Sequence, residues 1–178
     1  MADVVIRRAE PRDVPALLNI YNHYVCHSHV TFDVEPRTLE QRQAWFASFG
    51  QDGPHQCFVA ASGADAIGWA CSSPFKERAA YATSVETSVY LAPGEAGKGF
   101  GRRLYETMFD HLSRADVHRA YGGISLPNEA SVRLHRNLGF VPVGTYREVG
   151  RKFGRFWDVV VYEKALVQSP SKPGTPLL

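Results

Sequence analysis

The segment from Val85 to Leu104 constrains this chain more than any other, because it passes from strand to glycine-rich turn to helix without interruption. Val85, Thr87, Val89 and Leu91 alternate with Glu86, Ser88 and Tyr90, the period of a strand with one face apolar and one polar. Gly97, Gly99 and Gly101 follow, and Leu104, Met108 and Leu112 then recur at helical spacing. A helix launched this way packs back on its own sheet, which predicts a layered α/β (α+β) architecture. Glycines carry no Cβ to hold a ligand off the backbone. The unpaired N–H groups of a helix N-terminus favour an anion, and Lys98, Arg102 and Arg103 add positive charge there. The turn therefore reads as a pyrophosphate cradle. A P-loop is excluded because Lys98 is followed by Gly99 rather than Ser or Thr. A dinucleotide fingerprint beginning at Gly97 needs glycine at the position held by Arg102.

The remaining elements are consistent with one domain over residues 1–167. Val4 to Arg8 reads as a strand, and Asp13 and Pro15 open a first helix carrying Val14, Leu17, Leu18 and Tyr21 to about Val25. A loop from His27 to Pro36 leads to a second helix, Thr38 to Phe49. Strands are expected at Gln56–Ala61, Ala66–Ser72 and Tyr81–Leu91, the first two joined as a hairpin by Ser62-Gly-Ala-Asp65. His118–Ile124 is a further strand. A helix capped by Asn128 or Ser131 ends at Gly139, and Phe140–Tyr146 and Phe156–Lys164 close the sheet. From Gln168 a proline-rich polar tail, 168–178, is expected to be disordered.

A net charge of +2 with scattered basic residues gives no reason to expect a nucleic-acid partner. No apolar run is long enough for a membrane helix, and Met1 to Arg8 has no signal-peptide core. A cytoplasmic location is the expectation, in keeping with Cys26, Cys57 and Cys71, an odd set with no disulfide spacing. His23, His27 and His29 lack a Cys or acidic partner at ligand spacing, so no metal is expected.

The turn and the segment Asn128-Glu-Ala-Ser131-Val-Arg-Leu-His135-Arg-Asn-Leu-Gly139-Phe140 together resemble the two signatures of the GNAT superfamily of N-acetyltransferases. The first is Q/R-x-x-G-x-G/A, matched by Gly99 and Gly101, with Ala96 where the family usually has Gln or Arg. A narrower resemblance, to the phosphinothricin and methionine sulfoximine acetyltransferases, rests on Ile20-Tyr-Asn-His-Tyr24, Phe75-Lys-Glu-Arg78, Tyr81, Val85-Glu-Thr-Ser-Val-Tyr90 and Arg133-Leu-His135. It implies a mixed, mostly antiparallel sheet with about four helices and acetyl-CoA as co-substrate. It further implies the α-amine of a small amino-acid analogue as acceptor, and a homodimer.

Acetyl transfer needs a neutral amine, a polarised thioester carbonyl and a protonated leaving thiol. The resemblance gives the first task to Glu86 as base and the last to His135 as acid. Ser88, Val89 and Tyr90 run beside the pantetheine arm, which Asn128 and Ser131 also contact, while Ala96, Gly97, Lys98, Gly99, Phe100, Gly101 and Arg102 surround the pyrophosphate. Lys76 and Arg78 offer an acceptor clamp, since Arg can hold a carboxylate or phosphinate bidentately. Thr31, Phe32 and Tyr81 wall the acceptor pocket, and Phe75, Val85 and Thr87 complete it; for Phe32 and Tyr81 a core position is the competing reading. Two rivals remain: the same cofactor with another small amine or a protein N-terminus as acceptor, and a non-catalytic acyl-CoA sensor.

Overall fold

The computed structural model describes residues 3–166; the tail expected to be disordered from Gln168 lies outside the described residues. Strands β1 (Val4–Arg8), β2 (Gln56–Ser62), β3 (Asp65–Pro74), β4 (Ser84–Leu91), β5 (Arg119–Ser125), β6 (Val141–Lys152) and β7 (Arg155–Ala165) form one sheet in the order β1-β2-β3-β4-β5-β7-β6. β4 and β5 run parallel, and the other neighbours antiparallel.

Four helices, α1 (Val14–His27), α2 (Leu39–Phe46), α3 (Phe100–Leu112) and α4 (Glu129–Asn137), cover the two faces. The alternation read in β4 decides which residues meet which helices. Val85 joins Phe58, Ala60, Ala70, Ala120 and Ile124 under α3 and α4, where Leu104, Met108 and Leu112 are fully buried. On the opposite face Cys57, Val59, Trp69 and Cys71 pack against Leu17 and Ile20 of α1 and Trp45 and Phe46 of α2. Cys57 and Cys71 are register partners across β2 and β3 and remain free thiols.

Several boundaries depart from the sequence reading. Tyr81 belongs to a 3-10 turn, Ala79–Tyr81, so β4 begins only at Ser84. α2 stops at Phe46, although Phe49 still packs on the second core. β6 continues through Lys152, past positions too polar to read as strand.

Candidate active site

The site originates in a break in the sheet. The parallel register of β4 and β5 ends at the pair Glu86 and Tyr121, while β4 continues to Leu91 and β5 to Ser125. Thr87 Oγ1 donates to the Tyr121 carbonyl at 3.0 Å, satisfying a backbone acceptor at the point where the ladder ends. Beyond it the strands diverge around a cleft of about 540 Å³ lined by Thr87 to Leu91 on one wall and Gly123, Ile124 and Ser125 on the other.

The glycine turn lies at the mouth of this cleft. Ala96, Gly97, Gly99, Gly101 and Arg102 line it. Gly97 and Gly99 have φ of +80° and +83°, a region that side chains disfavour. Gly99 is the N-cap of α3, and an added Cβ at Gly97 or Gly99 would meet open space. Gly101 serves packing as well: a Cβ there would stand 3.3 Å from Leu134. On the far side Asn128 caps α4 by accepting from the Ser131 N–H at 3.1 Å, and both residues line the cleft. The Ser125 hydroxyl, also in the lining, is buried with no hydrogen-bond partner among the described residues. Open backbone at a helix N-terminus, a donor without an acceptor and a cleft running from the glycine turn to Ser125 fit a CoA thioester.

Glu86 stands at the point of divergence. Its carboxylate leans across the split, so that a Cβ on Gly123 would lie 4.0 Å from Oε1. The side chain keeps solvent access, yet the enclosing protein desolvates the carboxylate and raises its pKa. His135 is 3 % exposed in the cleft lining. Its Nδ1–H donates to the Ser131 carbonyl at 2.8 Å, and Nε2 lies 3.4 Å from the Tyr105 hydroxyl. A carbonyl only accepts, so the neutral ring carries its hydrogen on Nδ1 and leaves Nε2 as the acceptor. Burial lowers the His135 pKa, which disfavours the imidazolium that the sequence reading assigned as acid.

Other expected site residues also need correction. Val85 is fully buried in the core beneath α3 and does not face an acceptor. Phe100 packs against that same core rather than lining the cleft. Thr87 lines the glycine-lined cleft, with its hydroxyl engaged by the Tyr121 carbonyl. Lys98 and Arg102 are ion-paired with Glu95 at 3.0 Å and Glu106 at 2.7 Å, exposed pairs of small energetic weight. The Lys76 ammonium lies 5.1 Å above Phe75 and 5.2 Å above Tyr81, Phe75 stacks on Tyr121, and Arg78 is exposed. Thr31 is buried with its hydroxyl 2.8 Å from that of Tyr21, and Phe32 lies against Gly150.

A second pocket, about 430 Å³, opens on the polar face of β4 between α1, α2 and β3. Ser88 and Tyr90 border both cavities, and this pocket also takes in Tyr21, Asp33, Arg37 and Arg42. These residues were missed in the sequence. The available signal was Arg42, a charge at helical spacing between Leu39 and Trp45 on a stripe otherwise apolar. Among the described residues no cluster of His, Cys, Asp and Glu is arranged to hold a metal, and no helix is long and apolar enough to cross a membrane.

A glycine-lined cleft on one side of β4, a polar pocket on the other and a desolvated carboxylate where β4 and β5 part are the features expected of an acyl-CoA-dependent N-acetyltransferase. Comparison with known proteins agrees. The model of the acetyltransferase (GNAT) family matches residues 17–140. The phosphinothricin N-acetyltransferase of Streptomyces coelicolor is 53% identical over 167 residues, 93% of this chain and 98% of that protein. The L-methionine sulfoximine/L-methionine sulfone acetyltransferase of Salmonella typhimurium is 32% identical over 163 residues, 92% of this chain and 95% of that one. The crystal structure of a phosphinothricin acetyltransferase from Sinorhizobium meliloti in complex with AcCoA superposes with a TM-score of 0.88 at 26% identity, covering 97% of this chain and 96% of that chain. The chain belongs to the GNAT acetyltransferase family.

Proposed function

We propose that this protein moves acetyl from acetyl-CoA to the α-amine of a small amino-acid analogue of the phosphinothricin, methionine sulfoximine or methionine sulfone kind. The observation that carries the reading is the position of Glu86 at the end of the β4–β5 ladder, with Oε1 near Gly123 of the glycine-lined cleft and its register partner Ser73 in the separate polar pocket.

Acetyl-CoA, when bound, supplies the thioester carbonyl that the amine attacks. The bared amides from Gly97 to Gly101 hold an anionic diphosphate, with Arg102 beside them, and Asn128, Ser125 and Ser131 offer polar groups along the cleft. The backbone N–H groups of β4 that lose their partners where β5 departs are available to polarise a carbonyl. Glu86 takes a proton from the incoming ammonium, directly or through water. As the new C–N bond forms and the C–S bond breaks, the second proton lost by the attacking nitrogen goes to the departing thiolate, directly or through water. Its raised pKa brings its basicity closer to that of the proton donor than an ordinary carboxylate. His135, neutral and tied to Ser131, is proposed to hold the cleft wall and the Tyr105 hydroxyl in position rather than to act as an imidazolium.

The experiment is thiol release with a panel of amines: amino-acid analogues, polyamines, an aminoglycoside and a peptide N-terminus. Highest turnover with methionine sulfone, methionine sulfoximine or phosphinothricin supports the reading, and no release with any amine points to a sensor. We also infer a homodimer. β6 is one of the two edge strands of the sheet, and Val141, Val143, Tyr146, Val149 and Phe156 of the β6–β7 hairpin are exposed, an apolar edge that soluble proteins normally cover. Light scattering at twice the chain mass supports it. Free Cys26, Cys57 and Cys71 support a reducing, cytoplasmic setting, and residues 1–167 are read as one catalytic domain.

A further inference from the structure

We propose that Arg133 is a specificity-determining residue for the acyl donor, its guanidinium meeting the phosphate monoester on the 3′-oxygen of the coenzyme A ribose. This rests on the glycine-lined cleft holding acetyl-CoA, as proposed above. The cleft has an inner and an outer part. Thr87, Ser125, Ser131 and His135 line it as buried or half-buried side chains, whereas Ala130, Arg133 and Asn137 of α4 line it while remaining exposed. These last three recur at spacings of three and four along the helix, which puts them on one ridge and makes that ridge a rim of the cleft. Leu134, next to Arg133, packs against the glycine turn: a Cβ on Gly101 would lie 3.3 Å from its side chain. The rim therefore stands beside the amides proposed to hold the diphosphate.

A coenzyme A thioester carries two anionic groups. The diphosphate suits open backbone N–H groups at a helix N-terminus. The 3′-phosphate is a monoester, close to dianionic at neutral pH, and it hangs one ribose away, within the length of an arginine side chain. A charge of that size calls for a cation, and the planar guanidinium fork matches phosphate oxygens. The other cations around the turn are engaged elsewhere. Lys98 is paired with Glu95 and Arg102 with Glu106. Arg103 donates to the Val4 carbonyl at 2.7 Å, and Arg136 donates to the Tyr162 hydroxyl at 3.3 Å. Arg133 makes no ion pair and no hydrogen bond among the described residues, although Glu129 stands one helical turn before it. It lines the cleft with a charge that no carboxylate meets. The adenosine end is also what separates coenzyme A thioesters from pantetheine thioesters on a carrier protein, which share the arm and lack the ribose phosphate. A contact at the 3′-phosphate lets the rim favour the free coenzyme.

The test is calorimetric titration of acetyl-CoA and of 3′-dephospho-acetyl-CoA into wild type, Arg133→Gln and Arg133→Lys, at low and at high salt. Wild type is expected to bind acetyl-CoA about tenfold more tightly than the dephospho form. Arg133→Gln is expected to lose that preference by weakening acetyl-CoA alone. Arg133→Lys should keep part of it, as a point charge without the planar fork. The wild-type preference is expected to shrink in high salt, because an exposed pair is screened. Equal binding of the two donors by wild type overturns the proposal and leaves acetyl-CoA in the cleft. A preference that survives in Arg133→Gln, or a variant that weakens both donors equally, overturns it in the same way. Wild type that binds neither donor removes the cleft assignment and this proposal together. Should the variants fail to fold, competition against acetyl-CoA on wild type decides. Adenosine 3′,5′-bisphosphate is expected to compete about tenfold better than adenosine 5′-monophosphate, and equal competition refutes the 3′-phosphate contact.

Discussion

Replacing Glu86 with Gln removes the base while keeping the shape of the side chain at the point where β4 and β5 part. General-base catalysis contributes about 10²- to 10⁴-fold, which at 1.36 kcal/mol per tenfold is roughly 3–5 kcal/mol of barrier. The variant is expected to lose activity within that range in a thiol-release assay with saturating acetyl-CoA. Its affinity for acetyl-CoA, measured by calorimetry, is expected to match wild type, because the glycine turn and the cleft wall formed by Thr87 and Val89 are untouched. Folding is separable from chemistry by sign. Desolvation raises the Glu86 pKa in the folded chain, so the ionised carboxylate opposes folding once pH rises above its unfolded value. At pH 7 the Gln variant should therefore melt no lower than wild type. The wild-type rate should fall on the acid side with a midpoint above the ordinary 4.5 of a glutamate, and the variant should lack that limb. Wild-type turnover in Glu86→Gln, with the acid limb intact, would refute the assignment of the base.

Three further outcomes follow from the packing. An added Cβ at Gly122 would stand 2.7 Å from His135 Nε2, so Gly122→Ala is expected to cost about 1–3 kcal/mol in urea unfolding by pushing α4 off the sheet; an unchanged midpoint would show that the ring is not wedged there. Arg7 holds the buried Asp13 carboxylate with hydrogen bonds of 2.7 and 2.8 Å. Burial pushes that carboxyl up, but Arg7 and the Glu10 N–H outweigh it and leave the pKa lowered. Asp13→Asn should cost about 2–4 kcal/mol at pH 7. The difference from wild type should persist above the usual 3.8 and vanish as pH falls through the depressed pKa, which unfolding across an acid pH series would check. His135→Asn should lower stability by about 1–3 kcal/mol yet leave the alkaline side of the pH–rate profile in its wild-type form, because the ring is already neutral; an alkaline limb that disappears in the variant would restore the imidazolium acid.

What was legible in the sequence follows from periodicity and from glycine. The alternation of β4, the stripe of α3 and the turn between them are local patterns, and each formed where it was read. The alternation also separated Glu86 from Val85, yet the sequence reading still placed Val85 beside the acceptor, because a motif quoted as a run of residues ignores the pleat. The parting of β4 from β5 depends on where a long-range register ends, and no local signal announces that at Tyr121. The second pocket was hidden for the same reason: Tyr21, Asp33 and Arg42 come from α1, the following loop and α2, and only tertiary packing brings them together over Trp69. His135 was visible as a residue but not as a neutral one, since its protonation is set by burial between Tyr105, Phe140 and the Ser131 carbonyl.

The central claim is that bared backbone from Gly97 to Gly101 grips the diphosphate of acetyl-CoA. Calorimetric titration of acetyl-CoA into wild type and Gly99→Val tests it most directly. At a φ of +83° a β-branched residue carries a strain of about 1–2 kcal/mol, and its side chain enters the open space over the α3 N-terminus. The account predicts affinity at least tenfold weaker in a variant that keeps the wild-type circular dichroism. Equal affinity in a folded Gly99→Val would contradict it.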